Sequence, residues 1–249
     1  MPIRAIRGKL PPGGNATAVM GRLVCFPWAG SGAAVFRQWP DYLPSTVELC
    51  LPCLPGRDAR VDEPPATDIT RLIDSLADGL FALLDRPYSL FGHSMGAFIA
   101  FDLAHELSRR GRPPEHLFVS AQRGPSLPYR WPKIFHLPDE EFLSIVSGRY
   151  NNIPKPVLED KAFREILIRT LRGDFTLTEE YRYQARGPLR CPITAFGGTE
   201  DGLITPGDLE VWALETKACF RLHMMPGGHF FLNHSREELI LKIRASGGY

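Results

Sequence analysis

Long apolar runs are missing from this sequence. Nothing in its 249 residues approaches the roughly 18 consecutive apolar positions that a bilayer-spanning helix needs. Residues 1–7 carry no apolar stretch of the kind a secretory signal has, so the protein is expected to be cytoplasmic and to act without a membrane. A charge excess is missing too. With 29 Lys and Arg against 28 Asp and Glu, the formal net charge is +1, which offers no footprint for nucleic acid or an anionic surface. Paired cysteines are lacking: five Cys, an odd number, are scattered along a chain too large to need disulfide staples, which fits a reducing compartment. Cys50 and Cys53 do form a CxxC. Two further ligands at matching spacing are absent, however, and Pro52 and Pro55 interrupt the helix that a redox pair would open. No metal and no cofactor is expected. Repeats and low-complexity linkers are likewise absent, so residues 1–249 are expected to form a single domain, working as a monomer.

What is present is ordinary globular material. Apolar residues make up 44% and charged residues 23%, enough for a sizeable core. The 23 prolines fall mostly in runs such as 10–14 and 125–138, which read as defined turns. Short apolar runs recur at 22–26, 47–51, 88–91, 116–120, 193–196 and 221–225. Without alternation, such runs suit strands buried on both faces of a parallel sheet. Between them, Ile69, Leu72, Ile73, Leu76, Leu80 and Leu83 repeat at helical spacing, and 95–110 forms a second helix closed by Gly111. Alternating strands and helices predict a doubly wound α/β architecture. The rhythm breaks at 122–186, where helix-like segments at 139–147, 161–172 and 177–183 flank a Pro-rich connector at 153–156. An insertion of that length between core strands predicts a helical lid.

The sharpest motif is Gly92-His93-Ser94-Met95-Gly96, a G-x-S-x-G placed directly after a strand and directly before a long helix. That turn puts the serine in strained backbone and lifts its hydroxyl clear of the sheet edge, as in the α/β-hydrolase fold. A serine hydroxyl needs a base to take its proton, and this fold supplies the partners in the order acid, then histidine. Asp201 lies on the loop after the strand at 193–196, and His229 on the loop after the strand at 221–225. Glu200 is the alternative acid. His93 reads as structural, His234 as a remote second candidate base, Asp208 as too far along the next helix, and His223 as a strand residue. An oxyanion hole requires two backbone N–H donors. Met95 supplies one, and the loop at 25–32 supplies the other, from Ala29 with Trp28 in reserve.

With these residues placed, the chain resembles the stand-alone type II thioesterases of polyketide and non-ribosomal peptide pathways. The resemblance rests on FPWAGSG at 26–32, LPGRDAR at 54–60, FGHSMGA at 91–97, LPDEEFL at 137–143, LRGDFTLTEEYRY at 171–183, PLRCPITAFGGTED at 188–201 and PGGHFFL at 226–232. It implies an α/β-hydrolase fold with a mostly parallel central sheet, flanking helices and a helical lid insertion at 122–186. It implies hydrolysis of acyl groups from the phosphopantetheine arm of acyl carrier proteins, with Ser94, Asp201 and His229 as triad and Ala29 and Met95 as oxyanion donors. Gly202 stands where the family often has Pro, and 148–152 replaces a Gly-Gly-Thr-Pro-like stretch. The competing readings are a medium-chain fatty acyl thioesterase, a carboxylester hydrolase with the same triad, and a non-catalytic binding module on this scaffold. In the lid, Trp131, Phe135, Phe142, Phe175 and Tyr181 are expected to line an acyl chamber. Arg123, Arg130 and Lys133 are expected at its entrance, facing an acidic carrier.

Overall fold

The apolar runs lack alternation because the strands built from them have a core on both sides, except that the run at 221–225 forms an edge strand in which only Met225 is buried, since no strand covers its outer side. The computed structural model describes residues 3–7, 18–150, 153 and 155–247; the run at 10–14 lies outside them. In chain order the strands are β1 (Ile3–Arg7), β2 (Gly21–Phe26), β3 (Val47–Pro52), β4 (Tyr88–His93), β5 (His116–Ser120), β6 (Ile193–Gly198) and β7 (Phe220–Met225). They form one sheet in the order β1-β3-β2-β4-β5-β6-β7, parallel throughout except for β1, which runs antiparallel to β3. Along β2, Val24 and Phe26 enter one core while Leu23 and Cys25 enter the other.

Helices α1 (Ile69–Phe81) and α2 (Met95–Arg109) cover the first face. Asp68 caps α1 by accepting the Arg71 N–H at 3.1 Å, and the expected apolar stripe is the one buried. Gly111, at φ 78°, turns the chain away after α2. Phe36 and Trp39 cover the second face, and so does the later helix that carries Leu239, Ile240 and Ile243.

β1 is not among the expected strands. Its five residues, IRAIR, include two arginines, and an edge strand needs pairing on only one side, so no long apolar run marks it.

Between β5 and β6 the described residues form no strand. They form α3 (Asp139–Tyr150), α4 (Lys155–Glu159) and α5 (Lys161–Glu179). Three expectations change here. The segment at 139–147 continues to Tyr150. Residues 155 and 156 of the expected connector open α4, since proline is tolerated in a helix's first turn; residue 154 lies outside the described residues. The segments at 161–172 and 177–183 are one helix that ends at Glu179. Gly173, which suggests a break, is instead a contact point: a Cβ there would sit 2.5 Å from the Pro65 side chain and 3.2 Å from the Ala66 carbonyl oxygen. These helices share a small core of their own, including Phe142, Val146, Leu171 and Phe175. Beyond β6 follow α6 (Pro206–Glu210) and, after β7, α7 (Arg236–Gly247).

From β2 the chain moves to β3 on one side and then to β4 on the other. The crevice at the carboxyl ends of β2 and β4 is thus a topological switch point, where open α/β sheets bind their ligands.

Candidate active site

Ser94 occupies that crevice, between the last residue of β4 and the first of α2, at φ 53° and ψ −120°. A non-glycine residue at positive φ costs about 1–3 kcal/mol and persists only where its surroundings enforce it. Here the Ser94 N–H donates to the Ser120 carbonyl at 2.8 Å. Gly96 allows the first turn of α2 to rest on the end of β2: a Cβ would lie 2.3 Å from the Phe26 carbonyl oxygen and 2.7 Å from that of Pro27. The spacing of the motif is therefore a packing requirement, and it puts the start of α2 beside the 27–32 loop.

His229 bridges the other two candidates. Its Nε2 lies 3.1 Å from Ser94 Oγ, and its Nδ1 lies 2.8 Å from Asp201 Oδ2. The second carboxylate oxygen of Asp201 accepts the Leu203 N–H at 2.9 Å and the Ile204 N–H at 3.3 Å. The loops carrying the acid and the histidine are stitched together, with Thr199 N–H donating to the Met225 carbonyl and Glu200 N–H to that of Gly227. Gly198 permits this approach, since a Cβ would stand 2.4 Å from the carbonyl oxygens of Gly227 and Gly228. The Asp201 side chain is only 1% exposed and that of His229 8%. An imidazole held between a carboxylate and a hydroxyl in this way can accept the hydroxyl proton while the carboxylate stabilises the charge that results.

The alternatives are placed elsewhere. Glu200 is exposed and Gly202 beside it faces open space. His93 is fully buried, its Nδ1 2.9 Å from Ser120 Oγ and its ring against Trp28 and His229. Burial drives its imidazole far below the usual range, with the neighbouring His229 adding in the same direction. His234 is exposed ahead of α7, and His223 stacks on Phe196 within β7. Asp208 caps α6 through Thr205 and pairs with Arg130.

Met95 opens α2, so its N–H is one that a helix cannot pair internally. Ala29 sits in a turn closed by the Ser31 N–H donating to the Trp28 carbonyl at 3.2 Å, and its own N–H meets no acceptor among the described residues. Both border the same cavity as Ser94 and His229, a space of about 430 Å³ that the reserve donor Trp28 also lines. Of the five aromatics expected there, Trp131, Phe175 and Tyr181 line it; Phe142 lies in the helical core and Phe135 packs against that core.

Of the expected entrance cations, Arg123 lines the cavity. Arg123 is 7% exposed and donates to the Pro128 carbonyl at 2.7 Å. Arg130 pairs with Asp208, and Lys133 with Glu180 at 2.6 Å. Each has a partner inside the chain, while the side chains of Arg130 and Lys133 stay 38% and 44% exposed.

Sequence reasoning missed several polar groups around the site. Asp174 and Glu179 are buried on α5, and Arg57 is buried opposite Asp174. Glu179 gathers the N–H groups of Ile134 and Phe135 and the Tyr129 hydroxyl. The available signal was an acid on the apolar stripe of a helix. Tyr150, whose ring centroid is 5.3 Å from that of His229, carried no such signal. Among the described residues no group of three or more His, Cys, Asp or Glu is placed to hold a metal, no cysteines are bonded, and no helix is long and apolar enough to cross a membrane.

Residues 21–246 match the thioesterase domain family. The gramicidin S biosynthesis protein GrsT of Aneurinibacillus migulanus is 40% identical over 220 residues, covering 88% of this chain and 86% of that protein. The medium-chain S-acyl fatty acid synthase thioesterase of Homo sapiens is 33% identical over 228 residues, covering 89% of this chain and 84% of that protein. Among solved structures, the type II thioesterase BorB from the borrelidin biosynthetic cluster superposes with a TM-score of 0.84 at 32% identity, covering 98% of this chain and 95% of that one. The expected architecture, a mostly parallel sheet flanked by helices, is the one observed.

Proposed function

The chain belongs to the thioesterase domain family, whose members hydrolyse acyl thioesters, and from that premise we propose that it strips acyl groups from the phosphopantetheine arm of carrier proteins as a type II editing enzyme. The observation that carries the reading is His229 held between Ser94 Oγ and Asp201 at the wall of an apolar cavity. In this mechanism His229 Nε2 takes the Ser94 proton as Oγ attacks the thioester carbonyl. The Ala29 and Met95 N–H groups meet the developing oxyanion, where fixed donors are worth most. The intermediate collapses, the C–S bond breaks, and His229 returns the proton to the departing pantetheine sulfur. Water then repeats the sequence on the acyl-serine and releases the free acid, with Asp201 keeping Nδ1 protonated throughout. Residues 122–186 act as the lid over the acyl chamber within the single domain at 1–249.

Similarity to proteins of antibiotic biosynthesis supports the carrier substrate, and similarity to a fatty acid synthase thioesterase names its rival. Intact mass spectrometry of carrier domains loaded with acetyl, propionyl or decanoyl groups separates them. Loss of short acyl groups from the carriers is expected. Ser94→Ala should lower that rate by roughly 10⁴–10⁶. Release of decanoyl alone would favour the fatty acyl reading. Turnover of oxyesters with every carrier left intact would reject both.

A further inference from the structure

We propose that Arg57 and Asp174 are positioning residues that hold the 28–32 loop in the form that presents the Ala29 N–H to the reacting carbonyl. The inference rests on the role proposed above for Ala29. Asp174 is 0% exposed and Arg57 7%. They meet in a two-pronged pair, Nη1 to Oδ2 at 2.8 Å and Nη2 to Oδ1 at 2.5 Å. Both partners also grip the loop. Asp174 Oδ2 accepts the Gly30 N–H at 2.7 Å, and Arg57 Nη1 donates to the Ser31 carbonyl at 2.9 Å. The Ala29–Gly30 and Ser31–Gly32 peptide planes are therefore fixed from outside the loop, the first of them adjoining the Trp28–Ala29 peptide that carries the proposed donor. Next to Arg57, the Asp58 carboxylate accepts the Ala33 N–H at 2.9 Å and holds the loop's far end.

A buried ion pair is poor evidence for stability, because desolvating two charges offsets most of their attraction. An apolar pair at 57 and 174 would serve the packing equally well but could not bind a peptide N–H and a carbonyl together. The geometry also links two distant stretches of sequence: Asp174 belongs to α5 in the insertion, and Arg57 to the loop after β3. α5 is tied to that loop a second time, by the Thr170 hydroxyl donating to the Gly56 carbonyl at 2.9 Å. This helix is thus a fixed post for the oxyanion loop. Misplacing a reacting group by about 1 Å costs up to roughly 100-fold in rate, so the pair acts on turnover.

The test is the paired variant Arg57→Met with Asp174→Leu, compared with the parent on an acyl N-acetylcysteamine thioester and on a p-nitrophenyl oxyester. Melting temperature and circular dichroism report folding. The paired variant should stay folded, with kcat down roughly 10–100-fold, KM within about threefold, and the pH profile unchanged because the base is untouched. Asp174→Asn keeps an acceptor for Gly30 but loses the two-pronged ionic grip on Arg57, and should lower kcat roughly five- to tenfold, less than the paired variant. A folded paired variant with kcat within threefold of the parent overturns the proposal. Should the paired variant fail to fold, Asp174→Asn decides: kcat within threefold, corrected for the folded fraction, overturns it, and a larger fall supports it. Because the ratio is also read on an oxyester, failure of the carrier reading leaves this comparison intact.

Discussion

Two adjacent carboxylates, Glu200 and Asp201, follow β6, and backbone geometry alone separates them. Asp201 turns inward, where two N–H groups fix one of its oxygens and His229 takes the other; Glu200 turns to solvent. In the proposed mechanism an asparagine at 201 would present an amide where a carboxylate is needed and hold the imidazole in the wrong tautomer. Asp201→Asn should therefore lower kcat by up to roughly 10⁴, while Glu200→Gln leaves it within about twofold. Steady-state rates on one thioester suffice, and the reverse pattern would exchange the two assignments. Ser94 and Asp201 are legible in sequence because each follows a strand whose unbroken apolar run marks it as buried, and His229 because it follows the next short run, although β7 is only half-buried. Arg57 and Asp174 are not, because their meaning lies in each other and they stand far apart in the chain. A charge inside an apolar helix stripe announces a partner without naming it.

At the level of elements, packing decides which glycines are tolerated and which are required. Gly96 has backbone oxygens at 2.3 and 2.7 Å from where a Cβ would stand, and backbone cannot move aside as a side chain can. Gly96→Ala should cost about 3 kcal/mol and depress turnover as α2 shifts from the 27–32 loop. Gly148, exposed in the last turns of α3, has nothing within 4 Å. Gly148→Ala should stabilise by about 0.5–1 kcal/mol, since alanine restricts the unfolded chain and favours the helix. Urea unfolding of both variants checks the contrast, and equal effects would mean that local propensity, not contact, governs both sites. The same contrast explains what the sequence reveals about the fold. Strands buried on both faces are legible as unbroken apolar runs, and α1 and α2 as stripes. β1 escapes because IRAIR, a five-residue edge strand with two arginines, forms no apolar run. α5 reads as two pieces because Gly173 has the look of a helix breaker, and only Pro65 packing against it shows its use.

Across the whole molecule, the sheet and its two cores bury histidines that an unfolded chain would expose to water. His116, at 2% exposure in β5, stacks on Phe118 and has its Nε2 2.8 Å from Thr194 Oγ1. Burial, with Arg221 adding its repulsion, pulls its imidazole down to about 4. His93 is lowered in the same direction by burial and by His229. In the unfolded chain His116 takes up its proton as pH falls through about 6.5, whereas the folded protein excludes it until about 4. Between those values the unfolded state binds more protons, so stability must fall with acidification, by up to about 1.4 kcal/mol per pH unit for each histidine. Above pH 7 these groups contribute no slope. Asp102 and Glu215, raised by burial, tilt the curve the other way, because the folded state keeps their protons longer. Comparing the parent with His116→Gln removes that opposing part, since both proteins share it. The glutamine retains a hydrogen-bonding group for Thr194 but cannot titrate. Urea midpoints at pH 7.5, 6.5, 5.5 and 4.5 should converge for the two proteins as the pH drops, the parent losing stability faster. Curves that stay parallel would mean that His116 gains its proton in the folded protein as readily as in the unfolded one, and that its burial leaves it open to water.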